Sequence, residues 1–449
     1  MTDAALSLLL SRWQFAVTIG LHIVLAAFAL GLACFLTFLE AGWLIRKESR
    51  YLDTYAFWLK VFALTIVVGA VTGVLMEFEF GANWGPLSAK AGAVLGPLMF
   101  YEVLVAFFME SALAGVMIFG LNKINPKLHF CVTLLVAIGA LISAFWILAA
   151  NSWMQTPTGF SMDAAGHFRP DNWWSIISSP SFPWRLAHMV IAALLATAFM
   201  VGGVGAWRLL RGLTPPTAKL MVSSSMWVAI VLMPVQIVVG DLHGENTLKY
   251  QPQKVAAMEG SWQSPPPGVG EPLRLFALPD QQEQRNHAEL AIPQIASLYL
   301  KHDLSSHIKS LREFPADNIP PVIPVFFGFR VMVGMGIMML MLSATALCFR
   351  LRKRLYVSKA LLKWMSVMAP AGFIAMLAGW VVTETGRQPW TVWGHLRTEE
   401  SVSAHPADWI VASGIAILLV YAFAFFAGLY YFLRYVSTHG SEQQVKYNV

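Results

Sequence analysis

Several side chains that can bind a metal or carry a proton lie in parts of this sequence that are apolar enough to enter lipid. These side chains are His22, His188, Glu102, Glu110, Glu384 and Arg387. An ionisable group inside a bilayer is energetically unfavourable, and its default interpretation is functional. The other histidines are predicted to lie in loops or at interfaces. The alternative for each membrane residue is a structural hydrogen bond or ion pair.

Two methionines in one apolar segment add a soft ligand. Met332 and Met335 stand three residues apart, so they share a helix face and spacing alone does not choose between them. A histidine and a methionine can ligate a haem iron, and histidine or glutamate can hold further iron with an open position. Ordinary core packing is the alternative, because the chain has 21 methionines and methionine fills cores readily.

The composition predicts an all-α polytopic membrane protein. Of 449 residues, 57% are hydrophobic and 12% charged, which is more apolar surface than a soluble core of this size can hide. Cys34, Cys131 and Cys348 lack metal or haem-attachment spacing, which argues against disulfides, iron–sulfur clusters and c-type haem. The net charge of +6 comes from basic residues in short loops and therefore indicates topology, with no nucleic-acid partner.

Nine apolar segments reach the roughly 20 residues that a bilayer crossing requires. They lie at about residues 14–44, 56–76, 95–121, 128–149, 184–211, 219–240, 322–349, 361–383 and 408–433. Nothing indicates a cleaved signal peptide. Lysine and arginine are concentrated after the odd-numbered segments, so the positive-inside rule predicts a periplasmic N-terminus and a cytoplasmic C-terminus. The candidate ligands then gather in the outer leaflet.

One connection is much longer than the others. We predict six membrane helices in residues 1–240, an outer loop in residues 241–321, and three helices with a cytoplasmic tail in residues 322–449. Such a long connection is usually either functional or disordered. Taken alone, Lys254 and Glu259 in this loop would be an i, i+5 pair on a solvated segment.

Seven motifs along the chain carry a family resemblance. They start at Ser11, Thr72, Phe107, Ala149, Gly240, Phe329 and Glu384. The longest reads Thr72-Gly-Val-Leu-Met-Glu-Phe-Glu-Phe-Gly-Ala-Asn-Trp, and the last reads Glu384-Thr-Gly-Arg-Gln-Pro-Trp. From end to end, the sequence resembles subunit I of the cytochrome bd family of quinol oxidases.

This resemblance implies three haems near the outer surface. His188 and Met332 match the axial ligands of a low-spin haem b, and Arg330 matches an arginine that pairs with its propionate. His22 and Glu384 match the ligands of two high-spin haems, one of type b and one of type d or a further haem b. The resemblance does not say which residue holds which haem.

The resemblance also implies routes for protons and electrons. Glu102 matches a carboxylate at the high-spin haems, Glu110 belongs to a polar track for protons, and Arg387 is a candidate cofactor-binding residue. The other members of the track are Ser111, Ser143 and Asn151. The loop resembles a quinol-binding loop, in which Lys254 would hold a quinol oxygen and Glu259 would accept its proton. Its short second half matches the group that includes cyanide-insensitive oxidases.

The implied activity is oxidation of ubiquinol or menaquinol at the periplasmic face of a bacterial inner membrane, with reduction of O2 to water at a di-haem site. Proton motive force would arise without pumping. The implied partners are a second membrane subunit and a very small third one. The alternative is a proton-coupled secondary transporter, which predicts broken helices in matching inverted halves.

Overall fold

The computed structural model describes residues 3–213, 215–266 and 268–438. Within these residues, nine helical spans are long and apolar enough to cross a membrane, which confirms the predicted number and the all-α class. The predicted tail after residue 438 lies outside the described residues. The helices are α1 (Asp3–Arg46), α2 (Ser49–Ala82), α3 (Gly85–Val103), α4 (Ser111–Gly120), α5 (Pro126–Gln155), α6 (Trp173–Ile177), α7 (Phe182–Leu210), α8 (Pro215–Tyr250), α9 (Pro252–Glu259), α10 (Ile295–Lys301), α11 (Val322–Leu351), α12 (Lys359–Val367), α13 (Ala371–Thr385) and α14 (Ala407–Thr438).

Three short antiparallel hairpins lie in the connections. They are β1 (Phe160–Met162) with β2 (Phe168–Pro170), β3 (Leu273–Asp280) with β4 (Arg285–Ile292), and β5 (Trp390–Val392) with β6 (Leu396–Arg397). The hairpins, α6, α9 and α10 lie in connections between spans, so the rest of the described chain is essentially a helical bundle.

Two of the nine spans are interrupted, which the hydropathy pattern did not predict. The third consists of α3, a π-helical segment at Leu104–Glu110, and α4. The eighth consists of α12 and α13, and Pro370 stands at the break, where it caps α13. A π-helical segment inside a helix is frequent at functional sites, and this one ends on the predicted site residue Glu110.

Some helix ends and two histidines differ from the predictions. The sixth span continues to Tyr250 rather than ending near residue 240, because helical hydrogen bonding extends past the apolar part that hydropathy detects. Two of the histidines predicted to lie in loops or at interfaces belong to long helices. His129 lies in α5, where Glu40 supplies a buried partner, and His243 lies in α8.

The central helix α7 contacts α1, α5, α8, α12 and α13. Small residues permit its close approach to α13, as is common between membrane helices. A Cβ atom on Gly372 would lie 2.4 Å from Cα of Ala196. This packing fixes the position of α13, which carries Glu384.

Residues 251–266 and 268–321 fold over one end of the bundle, which we call the loop end. Lys254 and Glu259 in α9 are both buried, so the solvated alternative for this pair was wrong. Gly260 ends α9 at φ 61°, a conformation that glycine adopts without strain. The indole of Trp262 donates a hydrogen bond to Oδ1 of Asn286 at 2.9 Å and thereby ties α9 to the β3–β4 hairpin.

Candidate functional site

A cavity of about 1300 Å³ extends from the loop end into the bundle. It exceeds the roughly 300–1,000 Å³ typical of a site for one small molecule. Eight of the ten predicted site residues line it, namely His22, Glu102, Glu110, His188, Lys254, Met332, Glu384 and Arg387. The remaining two, Arg330 and Glu259, lie behind its wall. The structure therefore brings the predicted residues of five spans and the loop into one region.

His188, on α7, has one ring nitrogen close to a polar partner. Its Nε2 lies 3.3 Å from Nε2 of Gln236 on α8. Its Nδ1 is buried and has no hydrogen-bond partner among the described residues. Gly240 leaves space beside the ring, because a Cβ atom there would lie 3.2 Å from Cε1 of His188. A buried imidazole with an unpartnered nitrogen suits coordination better than packing.

His22, on α1, has a tautomer that can be inferred from its neighbours. Its Nδ1 lies 3.0 Å from the hydroxyl of Thr72, and that hydroxyl donates to the carbonyl of Gly69 at 2.9 Å. Because the threonine proton is used there, the imidazole donates from Nδ1 and its Nε2 carries a lone pair. A histidine oriented in this way by its other nitrogen is typical of metal ligands.

The structure separates the two methionines of α11. Met332 lines the cavity, whereas Met335 packs against an apolar cluster of α7, α8, α12 and α13. A Cβ atom on Gly379 would lie 2.7 Å from the sulfur of Met332, so the absence of a side chain there leaves room for the thioether.

Glu384, at the end of α13, is surrounded by positive charge. Its Oε2 accepts from Nη2 of Arg387 at 2.6 Å, and its Oε1 accepts from Nδ2 of Asn151 at 2.9 Å. Nη2 of Arg185 donates to Oδ1 of Asn151. Nε and Nη1 of Arg387 are buried without a partner among the described residues. These free guanidinium donors suit an anionic group in the cavity.

Lys254 extends from α9 to the same part of the wall. Its Nζ donates to Oε1 of Gln155 at 2.7 Å, and the absence of a side chain on Gly386 makes room for its methylenes. Burial, and then the charge of Arg185, hold the pKa of Lys254 well below its usual value. Because Lys254 lines the cavity, its amine can donate a hydrogen bond to an oxygen of a molecule bound there.

Glu259 and Arg330 form a second layer behind the cavity. The carboxylate of Glu259 is 0% exposed and lies 3.4 Å from Nη2 of Arg330. Arg330 also donates to the backbone carbonyls of Met258 and, from Nε at 3.0 Å, of Arg274. Its donors therefore face the loop, and the predicted propionate contact stays a prediction.

Two carboxylates of the third span, Glu102 and Glu110, also line the cavity. The hydroxyl of Ser143 donates to Oε1 of Glu102 at 3.1 Å. Glu110 packs against Gly139, and its Oε1 is buried without a partner among the described residues. Ser111 and Asn151 also line the cavity. These groups, suited to carrying protons, thus adjoin the candidate ligands.

Comparison with known proteins identifies the family. The family model described as cytochrome bd terminal oxidase subunit I matches residues 10–440. This chain belongs to that family. It is 34% identical to cytochrome bd ubiquinol oxidase subunit 1 of Bacillus subtilis, over 93% of this chain and 89% of the relative. It is 30% identical to cytochrome bd-II ubiquinol oxidase subunit 1 of Escherichia coli, over 97% of each chain.

The fold agrees with that of a solved member of the family. The bd oxidase from Geobacillus thermodenitrificans superposes with a TM-score of 0.87 at 25% identity, over 96% of this chain and 100% of the other. Family membership establishes a multi-pass protein of the bacterial cytoplasmic membrane that uses haem cofactors. It does not favour the transporter alternative, although the third and eighth spans are interrupted.

The residues of the cavity fit haem. They offer an imidazole nitrogen without a partner at His188, a lone pair at His22, a thioether at Met332 and a carboxylate at Glu384. The two oxygens of Glu384 can each accept one more contact, since an ionised carboxylate has about four lone-pair sites. The unpartnered donors of Arg387 fit an acidic substituent, and the volume exceeds that of a single-cofactor site.

Sequence reasoning missed several residues of the site. Arg185 precedes His188 by three residues, so helical spacing could have placed it on the same face. Gln155 ends the motif Ala149-Ala-Asn-Ser-Trp-Met-Gln, but the sequence assigned it no role. Tyr299, whose hydroxyl donates to Glu259, gave no signal, because the two are 40 residues apart and only the folded loop brings them together.

Proposed function

We propose that this chain is the haem-bearing subunit of a respiratory quinol oxidase, which takes electrons from quinol and reduces O2 to water. The observation that carries the proposal is that one cavity is lined both by candidate iron ligands and by Lys254 of the folded loop. Relatives are named ubiquinol oxidases, and a 25% identical relative of Bacillus subtilis is named a putative menaquinol oxidase. Either quinol is therefore a candidate substrate.

The family resemblance suggests the proposed ligands, and their position in the cavity supports them. His188 and Met332 would hold a low-spin haem b, and Arg387 and Arg330 are the candidate partners of acidic groups. His22 and Glu384 would hold two high-spin haems, of type b and type d or of type b alone. When bound, these haems supply one-electron iron chemistry and an open iron position at which O2 is reduced.

The quinol would bind at the loop end of the cavity, beside α9. Lys254, held by Gln155, would contact a quinol oxygen, and Glu259 would accept a quinol proton. Burial raises the pKa of Glu259, while the charge of Arg330 and the hydroxyl of Tyr299 oppose the rise. A carboxylate with a raised pKa is a better match for a base that works near neutral pH.

Protons for water formation would enter from the opposite side. Glu110 and Glu102, with Ser143 and Ser111, form the proposed track between the third span and the cavity. With the N-terminus and the loop outside, protons are released at one face and consumed from the other. A proton motive force then needs no pump.

The proposed organisation assigns residues 1–240 and 322–449 to the membrane part and 241–321 to the quinol loop. As a subunit I, the chain has a partner membrane subunit. A very small third subunit is part of the proposal.

The visible spectrum of the purified oxidase tests the cofactor assignment. We expect haem bands in the reduced-minus-oxidised spectrum, and a band in the red if one haem is of type d. Quinol-dependent O2 consumption by the same preparation tests the activity. A haem-free preparation of folded protein would overturn the proposal.

A further inference from the structure

Tyr299 stands between the cavity and Glu259. Tyr299 is among the residues that line the cavity, and its hydroxyl donates a hydrogen bond to Oε1 of Glu259. Glu259 is not among the described residues that line the cavity, and its side chain is 0% exposed. A quinol bound in the cavity would therefore contact Tyr299 before it could reach the carboxylate of Glu259.

We propose that Tyr299 is the residue that contacts the quinol hydroxyl and passes its proton to Glu259. This inference rests on the proposed function, because it assumes that quinol occupies the loop end of the cavity. It assigns the first proton acceptor to a residue that no motif of the sequence indicated.

The step is a paired proton transfer. The quinol O–H bond breaks while a new O–H bond forms on Tyr299, and the former tyrosine proton moves to Oε1 of Glu259. The electron pair of the broken bond stays on the quinol oxygen, which leaves a quinolate ready to give its electrons to the oxidase. Tyr299 ends the step neutral, as it began.

Charged groups from several elements face this pair. Arg330 of α11 lies 3.4 Å from Oε2 of Glu259, and Nη1 of Arg274 in β3 lies 3.3 Å from its backbone carbonyl. Besides burial, the charge of Glu271, which precedes β3, raises the pKa of Glu259, whereas the two arginines lower it. The charge of Asp241 in α8 likewise raises the pKa of Tyr299. Two arginines thus lie beside Glu259, while Glu271 and Asp241 add negative charge near the pair.

The protonation states support a relay. Burial, followed by the charge of Glu259, holds the pKa of Tyr299 well above its usual value, so the phenol does not ionise by itself. Burial also raises the pKa of Glu259. Although Tyr299 does not ionise by itself, it can give its proton to Glu259 while it takes a proton from the quinol.

The test is Tyr299→Phe in the intact oxidase, which keeps the ring and removes only the hydroxyl. We expect quinol turnover to fall about 100-fold, as for loss of a general acid–base group. Loss of a charge-assisted hydrogen bond should raise the pKa of Glu259, so the acid limb of the pH–rate profile should move up by about 1 to 2 pH units. The reduced-minus-oxidised haem spectrum should not change.

Two matched variants keep the outcomes distinct. Tyr356→Phe, in the connection between α11 and α12 at the other end of the bundle, should leave rate, pH profile and spectrum unchanged. Glu259→Gln should stop quinol turnover and spare the spectrum. If Glu259→Gln stops turnover while Tyr299→Phe shifts neither the rate nor the acid limb, the relay is overturned and the proposed function stands. If Glu259→Gln turns over normally, the loop assignment itself fails.

An infrared titration gives a readout that does not depend on turnover. The carboxyl band that disappears in Glu259→Gln should titrate at higher pH in Tyr299→Phe than in the unaltered protein. An unchanged titration would contradict a hydrogen bond between the two side chains.

Discussion

Each end of the bundle buries a histidine, but among the described residues only the histidine at the loop end has a ring nitrogen without a partner. At the end opposite the loop, Nδ1 of His129 lies 2.7 Å from Oε1 of Glu40, and its Nε2 lies 3.0 Å from the carbonyl of Met117. The hydroxyl of Thr133 donates to Oε2 of Glu40 at 2.6 Å. At the loop end, Nδ1 of His188 has no partner among the described residues and its ring adjoins a large cavity.

This contrast separates two uses of the same residue types. A buried polar group with all its partners in the protein stabilises helix packing and leaves no position for a ligand. A buried polar group without them is unfavourable unless something else binds it. A buried histidine that lacks a hydrogen-bond partner and adjoins a cavity is therefore a better indicator of function than a membrane histidine alone.

The largest effect should follow from removing the unsatisfied histidine. If His188 holds the low-spin haem as proposed, we expect His188→Ala to abolish the low-spin haem signal and quinol oxidation, because the proposed nitrogen ligand is removed. The measurement is the reduced-minus-oxidised spectrum of the purified variant. His129→Ala is the comparison, and it should retain the haem bands. Equal haem loss in both variants would break the distinction between the two ends.

A smaller effect is expected at the contact between the loop and the bundle. Lys254→Ala should lower quinol turnover at least tenfold and leave the haem spectrum intact, since its Nζ reaches the cavity wall rather than a candidate ligand. Gln155→Leu should raise KM through misplacement of Lys254. Steady-state kinetics with a soluble quinol measure both variants. Unaltered quinol oxidation by Lys254→Ala would contradict the assignment of the loop as the quinol site.

What the sequence could predict depends on the range of the interactions involved. The nine spans were predictable because hydropathy requires no knowledge of tertiary contacts, and the family resemblance distinguished Met332 from Met335. The π-helical segment before Ser111 and the fold of residues 251–321 were not predictable, since they depend on packing between distant segments. Glu40 and His129 show the same limit, because they are 89 residues apart and their pairing makes the histidine structural.

A subtler change tests whether Gly379 makes room for a ligand. In Gly379→Ala, the new methyl carbon would lie 2.7 Å from the sulfur of Met332, so the thioether must move. We expect a shifted low-spin haem band and a changed reduction potential with most haem retained. A spectrum identical to that of the unaltered protein would argue that Met332 is packing only.

The smallest effect on catalysis should come from the satisfied histidine, where the cost is in stability. His129→Leu leaves the carboxylate of Glu40 buried without its imidazole partner. The free energy of unfolding should fall by between about 1 and 4 kcal/mol. The lower figure is typical of a hydrogen bond between membrane helices, and the higher one of a buried charge left unpaired.

The double variant Glu40→Leu with His129→Leu decides between these interpretations. Replacing both partners removes the unpaired charge, and apolar replacement of a buried pair is often neutral or stabilising. We therefore expect its thermal midpoint in detergent to lie above that of His129→Leu, with quinol oxidation retained in both. If instead either variant lost quinol oxidation while keeping its haem and its midpoint, the network at this end would be part of the reaction, and the division between a structural and a functional end would be wrong.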